Sequence, residues 1–301
     1  MKILVTGATG FIGQKLCEVL SQSGHHLVGL SRSVDSAKQK LPDLSEVFSW
    51  DPEREYAPME AFDGVEAVIH LAGESVVGRW SKEKKQRIYD SRVLGTKHLV
   101  GSMMKAEDKP QILISTSAIG FYGDRGDDAL SESEPADNDF LAQVCKDWEV
   151  EANRASDANI RVANLRVGIV LGSGGGALDA MLLPTKLGAG GPLGSGKQWW
   201  SWVHVADVIG LIEHLLQSDI DGPVNATAPN PVRQKEFAQA LGRVLNRPSF
   251  LPAPSFALKT ILGEFSVELL SSKKVLPQKA QNSGFVFKFP ELEAALINLL
   301  K

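Results

Sequence analysis

The sequence predicts an α/β fold, a doubly wound parallel sheet with a smaller C-terminal lobe, and three observations lead there. Short β-branched runs alternate with longer helical patterns through the first half of the chain. Several of those runs are apolar without strict alternation, as strands covered by helices on both faces should be. A glycine loop also separates the first such run from the first helical pattern.

In chain order, Lys2–Thr6, His26–Ser31, Glu46–Trp50, Ala67–Leu71, Gln111–Ser115 and Arg161–Ile169 read as strands. Between them, Phe11–Ser23 and the long charged-and-apolar segment Lys82–Met104 read as helices. Segment Asp139–Ala155 follows Asp137 and Asn138, good N-cap residues, and sets Leu141, Val144, Cys145 and Trp148 on one helical face. Strand–helix alternation of this kind gives a sheet joined by right-handed crossovers. After Leu171 the composition shifts to the glycine-rich stretches Gly172–Gly176 and Gly188–Gly196. A helical pattern, Val205–Leu216, leads to a last short strand, Pro223–Ala228; the rest has a Pro-rich break at Leu251–Pro254 and several short helices.

Apolar residues make up 43% of the 301 and charged residues 23%, enough for a full core. The net charge of −4 leaves no basic excess for nucleic-acid binding. No run approaches the ~20 apolar residues of a membrane span. The first apolar stretch, Ile3–Val5, lacks the h-region of a signal peptide, so the expected location is the cytoplasm. Cys17 and Cys145 are expected as two buried thiols in that reducing compartment. The six histidines (25, 26, 70, 98, 204 and 214) offer no metal-ligand spacing beyond a loose His204/Asp207 pair, and no metal is expected. No G-x-S-x-G elbow supports hydrolase chemistry.

The strongest signal is Thr6-Gly7-Ala8-Thr9-Gly10-Phe11-Ile12-Gly13, set between a strand and a helix. Gly7 permits the tight turn, Gly10 a close approach of pyrophosphate to backbone N–H groups, and Gly13 close helix–strand packing. The free N–H donors and positive end of the following helix suit phosphate. This is a Rossmann-type dinucleotide site, with G-x-x-G-x-x-G spacing. On that reading residues 1–171 and 202–228 form the dinucleotide-binding domain, and 172–201 with 229–301 a smaller substrate-binding lobe. An NAD site carries an acid at the end of the second strand, about 20 positions on, for the ribose 2′-hydroxyl. Here that strand ends Ser31-Arg32-Ser33, which suits a 2′-phosphate, so the expected cofactor is NADP(H).

The same loop resembles that of the extended short-chain dehydrogenases/reductases, the nucleotide-sugar epimerase and dehydratase group. His70-Leu71-Ala72-Gly73 resembles their fourth-strand terminus, Ser115-Thr116-Ser117 their fifth-strand hydroxyl cluster, and Ser201–Asp207 the stretch returning from the substrate lobe. Phe140–Glu149, Gly196–Trp202, Asn225–Val232 and Val275-Leu276-Pro277 resemble an atypical "epimerase family protein" subgroup. The resemblance implies a cofactor set of Gly7, Thr9, Gly10, Phe11, Ile12, Gly13, Ser31, Arg32, Leu71, Ala72, Gly73, Lys146 and Val167. It implies Ser117 as donor to a substrate oxygen and Lys146 on the nicotinamide ribose. The family's tyrosine, four residues before the lysine, is replaced by Ala142, which leaves proton transfer to Tyr122, a substrate group or water.

The expected function is an NADP(H)-dependent oxidoreductase or epimerase-like enzyme on a small molecule; the alternative is a non-catalytic NADP(H)-binding sensor or regulator. Trp199, Trp200 and Trp202 either wall a pocket or cement the lobes, and Arg166 is either an anion clamp or a buried strand partner. The chain is expected as a monomer or a homodimer. Lys82, Lys84, Lys85 and Arg87 weigh against a dry helix-pair interface.

Overall fold

A computed structural model describes residues 1–301. The elements run β1 (Lys2–Thr6), α1 (Phe11–Gln22), β2 (His26–Ser31), α2 (Val34–Lys40), β3 (Glu46–Ser49), β4 (Ala67–His70), α3 (Lys82–Met103), β5 (Ile112–Ala118), β6 (Ala129–Leu130), α4 (Phe140–Asn153) and β7 (Arg161–Val167). They continue β8 (Ile169–Leu171), α5 (Gly176–Lys186), β9 (Trp199–Trp200), β10 (Trp202–His204), α6 (Val205–Gln217), β11 (Gly222–Ala226), β12 (Val232–Arg233), α7 (Gln234–Leu245), α8 (Ser255–Leu262), α9 (Ser266–Leu270), β13 (Lys274–Val275), α10 (Gln278–Asn282) and α11 (Leu292–Leu300).

Seven parallel strands form the central sheet in the order β11-β7-β5-β4-β1-β2-β3. The order reverses beside β1, so the carboxyl ends of β1 and β4 open onto the crevice where such sheets bind ligands. One face packs on α1 and α6 through Leu16, Leu20, Val208 and Ile212. The other packs on α3 and α4 through Leu99, Val100, Met103 and Ala152. Both faces are covered, which is why several of the strands read as apolar without strict alternation.

A third apolar cluster builds the smaller lobe from Leu171, Leu178, Trp200, Trp202, Phe237, Leu241 and Leu296. Trp200 and Trp202 are therefore core residues of that lobe. Trp199 is only partly buried, its ring flanked by the Arg233 guanidinium at 4.1 Å and the Lys274 ammonium at 4.8 Å. The segment 229–301 is not all in this lobe: Ala280 and Phe287 pack into the first sheet cluster, with Phe285 against it.

The expected strand Arg161–Ile169 breaks at Gly168. A Cβ there would lie 2.6 Å from the Ser201 carbonyl oxygen, so the bare backbone lets the chain cross. β7 stays in the main sheet, while β8 leaves it to pair with β10. Helix α4 is capped by Asp139, whose carboxylate accepts from the Ala142 N–H at 2.8 Å, rather than by Asp137 or Asn138. Helix α5, which carries Pro184, is hidden in the sequence by its glycine flanks.

Candidate functional site

The cofactor end is built from backbone. Gly7 has φ +67, and a Cβ there would sit 2.7 Å from the Leu71 carbonyl carbon; at Gly13 it would sit 2.2 Å from the Gly7 oxygen. Any side chain at either position would push the β1–α1 turn apart. Gly10 precedes α1 without a side-chain cap, so the first N–H groups of the helix stay open beside Thr9 and Ile12. Phe11 turns away from that opening. Its ring is collared by Gly172, Gly175 and Gly176, where added Cβ atoms would lie 2.6, 2.8 and 3.1 Å from it. Phe11 thus seats the tether to the smaller lobe, while its N–H stays in the cradle.

Leu71, Ala72 and Gly73 close the cradle from the β4 side, held by a buried relay. The Ala72 N–H donates to Thr6 Oγ1 at 3.3 Å, and Thr6 Oγ1 lies 2.6 Å from His70 Nδ1. His70 Nε2 meets Thr96 Oγ1 at 2.9 Å. If Thr6 donates onward to Nδ1, Nε2 carries the ring proton. Burial, then the Arg92 charge, lowers the His70 pKa to about 3, so the ring stays neutral. At the end of β2, Arg32 is exposed and Ser31 donates to the Ser33 carbonyl at 3.0 Å. Val167 ends β7 beside Ala118 of β5 and Ala226 of β11.

The reaction end differs from expectation at every side chain. Lys146 is exposed: α4 turns Leu141, Ala142, Val144, Cys145, Trp148, Glu149 and Ala152 inward, and Lys146 points to solvent between them. The inward position one residue back is Cys145, whose thiol burial, then the Glu149 charge, pushes up to about 12. Ser117 is buried, and its hydroxyl donates to Glu149 Oε1 at 2.7 Å. Tyr122 is fully buried; its hydroxyl donates to Asn225 Oδ1 at 2.7 Å and accepts from Arg166 Nη1 at 2.9 Å. Burial raises the Tyr122 pKa against the opposing pull of Arg166. Both hydroxyl protons are donated within the protein in this arrangement. Ala142 is fully buried, so it is a packed methyl rather than a vacancy.

The remaining tyrosines lie elsewhere. Tyr89 donates to Asp147 Oδ2 at 3.0 Å, and Tyr56 is exposed against His98. All three tyrosines of the chain are thereby placed. Arg166 is the buried strand partner: it forks onto Glu149 through Nε–Oε1 and Nη2–Oε2, both 2.8 Å, and stacks 3.5 Å from the Phe121 ring centroid.

Two residues went unread in the sequence. Glu149 lay one turn beyond Cys145 on the same inward face, and that spacing was available. Arg92 carried no local signal. Its Nη1 donates to the Glu74 and Ile88 carbonyls at 2.9 and 3.2 Å, and its guanidinium stacks 5.1 Å from the Trp148 ring centroid. It also lies 3.2 Å from where a Gly73 Cβ would be, which brings a cation without a carboxylate partner to the cradle's edge.

A seven-stranded parallel sheet, a side-chain-free β1–α1 turn and an open helix N-terminus at the switch point define a Rossmann-type nucleotide-binding protein. The profile of the NAD dependent epimerase/dehydratase family matches residues 3–226, and the chain belongs to that family. A domain of unknown function (DUF1731) matches residues 253–299. The chain is 42% identical over 306 residues to the chloroplastic epimerase family protein SDR39U1 homolog of Arabidopsis thaliana, covering 98% of this chain and 86% of that one. It is 40% identical over 302 residues to epimerase family protein YfhF of Bacillus subtilis, covering 100% and 98%. The crystal structure of human epimerase family protein SDR39U1 with NADPH superposes with a TM-score of 0.90 at 33% identity, over 99% of each chain. A Bacillus cereus UDP-glucuronic acid 4-epimerase, TM-score 0.81 at 21% identity, shares the fold. No helix is long and apolar enough to cross a membrane.

Proposed function

We propose that this protein binds NADP(H) at the β1–α1 cradle and acts as an epimerase-like oxidoreductase on a small molecule that carries its own proton-transfer group or uses water. The observation behind it is the contrast between an intact cradle and a reaction end whose hydroxyls are already paired. The residues fit the cofactor: added Cβ atoms at Gly7 and Gly13 would fill the space the backbone needs, and Arg32 stands exposed where a 2′-phosphate is read. The N–H groups of Phe11, Ile12 and Gly13 would hold the diphosphate, and Arg32 with Ser31 the 2′-phosphate. Arg92 brings to the edge of the site the positive charge that Lys146 does not. When bound, the cofactor supplies hydride transfer at its nicotinamide. The protein's part is to bind and orient it, while the Ser117 and Tyr122 hydroxyl protons are donated to Glu149 and Asn225.

That same pairing favours a second reading, a non-catalytic NADP(H)-binding sensor. One experiment separates them. NADPH is titrated by its fluorescence; its oxidation is then followed with aldehydes, ketones and quinones, and the NADP⁺-loaded protein is incubated with nucleotide sugars and the sugar's configuration read by NMR. Binding with turnover of any of these supports the enzyme. Binding without turnover supports the sensor, and absence of binding overturns both.

A further inference from the structure

Outside the cleft, the smaller lobe carries a surface that its own fold does not use. Leu183 and Leu187 at the end of α5, Phe250 and Leu251 after α7, and Phe256 and Ile261 on α8 are each between 50% and 75% exposed. The segments that carry them adjoin. The Arg247 Nε donates to the Lys186 carbonyl at 3.0 Å, and the Ala253 N–H donates to the Pro192 carbonyl at 2.8 Å. Helix α8 buries none of its residues fully. An apolar surface of this kind marks an interaction site more often than an accident of folding.

The segments that carry it are mostly positive, with Asp179 and Glu264 the acids at their ends. Residues 180–206 and 237–263 contain no Asp or Glu, although the chain as a whole is at −4. They contribute Lys186 and Lys197, then Arg243, Arg247 and Lys259. Arg243 is paired with Glu293 at 2.7 Å; Lys186, Arg247 and Lys259 are exposed on the same segments as the apolar side chains. A shallow cavity of about 690 Å³ opens between Arg243, Arg247, Ser249 and Phe250.

We propose that this face docks the protein on an anionic lipid surface, with Leu187, Phe250 and Phe256 entering the acyl boundary and Lys186, Arg247 and Lys259 meeting the headgroups. Phenylalanine and leucine interleaved with lysine and arginine is the composition of interfacial anchors, and it needs no membrane-spanning helix. Six apolar side chains against three free cations favour a bilayer over a polyanion, which would reward the charge alone. The attachment is independent of cofactor binding, because none of these residues belongs to the cradle.

The test is co-sedimentation of the full chain with vesicles of phosphatidylcholine alone, or of three parts phosphatidylcholine to one part phosphatidylglycerol. Binding to the anionic vesicles is expected to be at least about tenfold tighter than to the neutral ones, and to weaken at high salt. Phe250→Ser with Phe256→Ser, and separately Arg247→Glu with Lys259→Glu, should each cut it about tenfold, with Tm and NADPH affinity checked alongside. Should a double variant fail to fold, Phe256→Cys carrying an environment-sensitive dye serves instead, since Cys17 and Cys145 are both buried: the dye's emission should shift to the blue on anionic vesicles and not on neutral ones. No sedimentation with anionic vesicles, sedimentation that both double variants leave unchanged, or a reporter unmoved by lipid overturns the proposal. So does light scattering in which the wild type self-associates and the variants are monomers, since the face then belongs to a second copy.

Discussion

The cofactor cradle and the reaction end lie at the carboxyl edge of the same sheet, and they obey different rules. The cradle is backbone: three glycines at fixed spacing, a helix start and a loop from β4. The reaction end is side chains from β5, β7, α4 and the turn that carries Tyr122, and on α4 a shift of one residue turns the group by about 100° and exchanges interior for solvent. Lys146 and Cys145 are that one residue apart. Function written in backbone survives a reading by spacing; function written in helical phase needs the helix itself.

The largest effect should come from breaking the cradle. Gly13→Val forces a side chain into the Gly7 carbonyl, and NADPH titration should find no measurable binding, with Tm well below wild type. Next comes the buried pair at the other end. Glu149→Ala leaves the Arg166 guanidinium buried and unpaired, which should cost about 3–5 kcal/mol in urea unfolding. Arg32→Glu should lose NADPH affinity by about 1.5–3 kcal/mol while NADH affinity holds. Equal affinities for the two cofactors in the wild type would break the 2′-phosphate assignment.

Acid probes the relay that holds the cradle. His70 keeps its pKa near 3 when folded, against an ordinary value of 6.5. Below that ordinary value the unfolded chain takes up a proton that the folded ring refuses. Stability is therefore full above pH 6.5 and falls on acidification, by about 1.4 kcal/mol per pH unit for one such group. His204, lowered to about 4 by burial, adds to the slope. His70→Gln should flatten the curve between pH 6.5 and 4, and an unchanged slope would remove His70 from it. The smallest effect sharpens the comparison most. Lys146→Ala should leave stability within about 0.5 kcal/mol and NADPH affinity unaltered, because the side chain is exposed. A clear loss of NADPH affinity would restore the lysine to the site.

Much of the sheet was legible. β1 and β2 fall where the apolar runs put them, β4 is one residue shorter than expected, and β11 starts one residue earlier and ends two earlier than Pro223–Ala228, since a strand buried on both faces has little choice of composition. Gly168 was not legible as a break, because Val167 before it and Ile169–Leu171 after it continue the strand pattern; only the Ser201 carbonyl, distant in sequence, makes that glycine necessary. The Tyr122 hydroxyl was equally beyond reach. Its partners, Arg166 and Asn225, arrive from two later strands, and no local pattern announces them.

The collar of Gly172, Gly175 and Gly176 around Phe11 has a consequence for how the molecule opens. Glycine segments lose the most freedom on ordering, so this one needs an external template, and the aromatic ring supplies it. The start of α1 and the tether are then a single cooperative unit, although more than 150 residues separate them in the chain. Native-state hydrogen exchange should report one opening free energy for the amides at 11–13 and at 174–176. Phe11→Ala should lower both together, and NADPH, by clamping the first group, should slow exchange in the second without touching it.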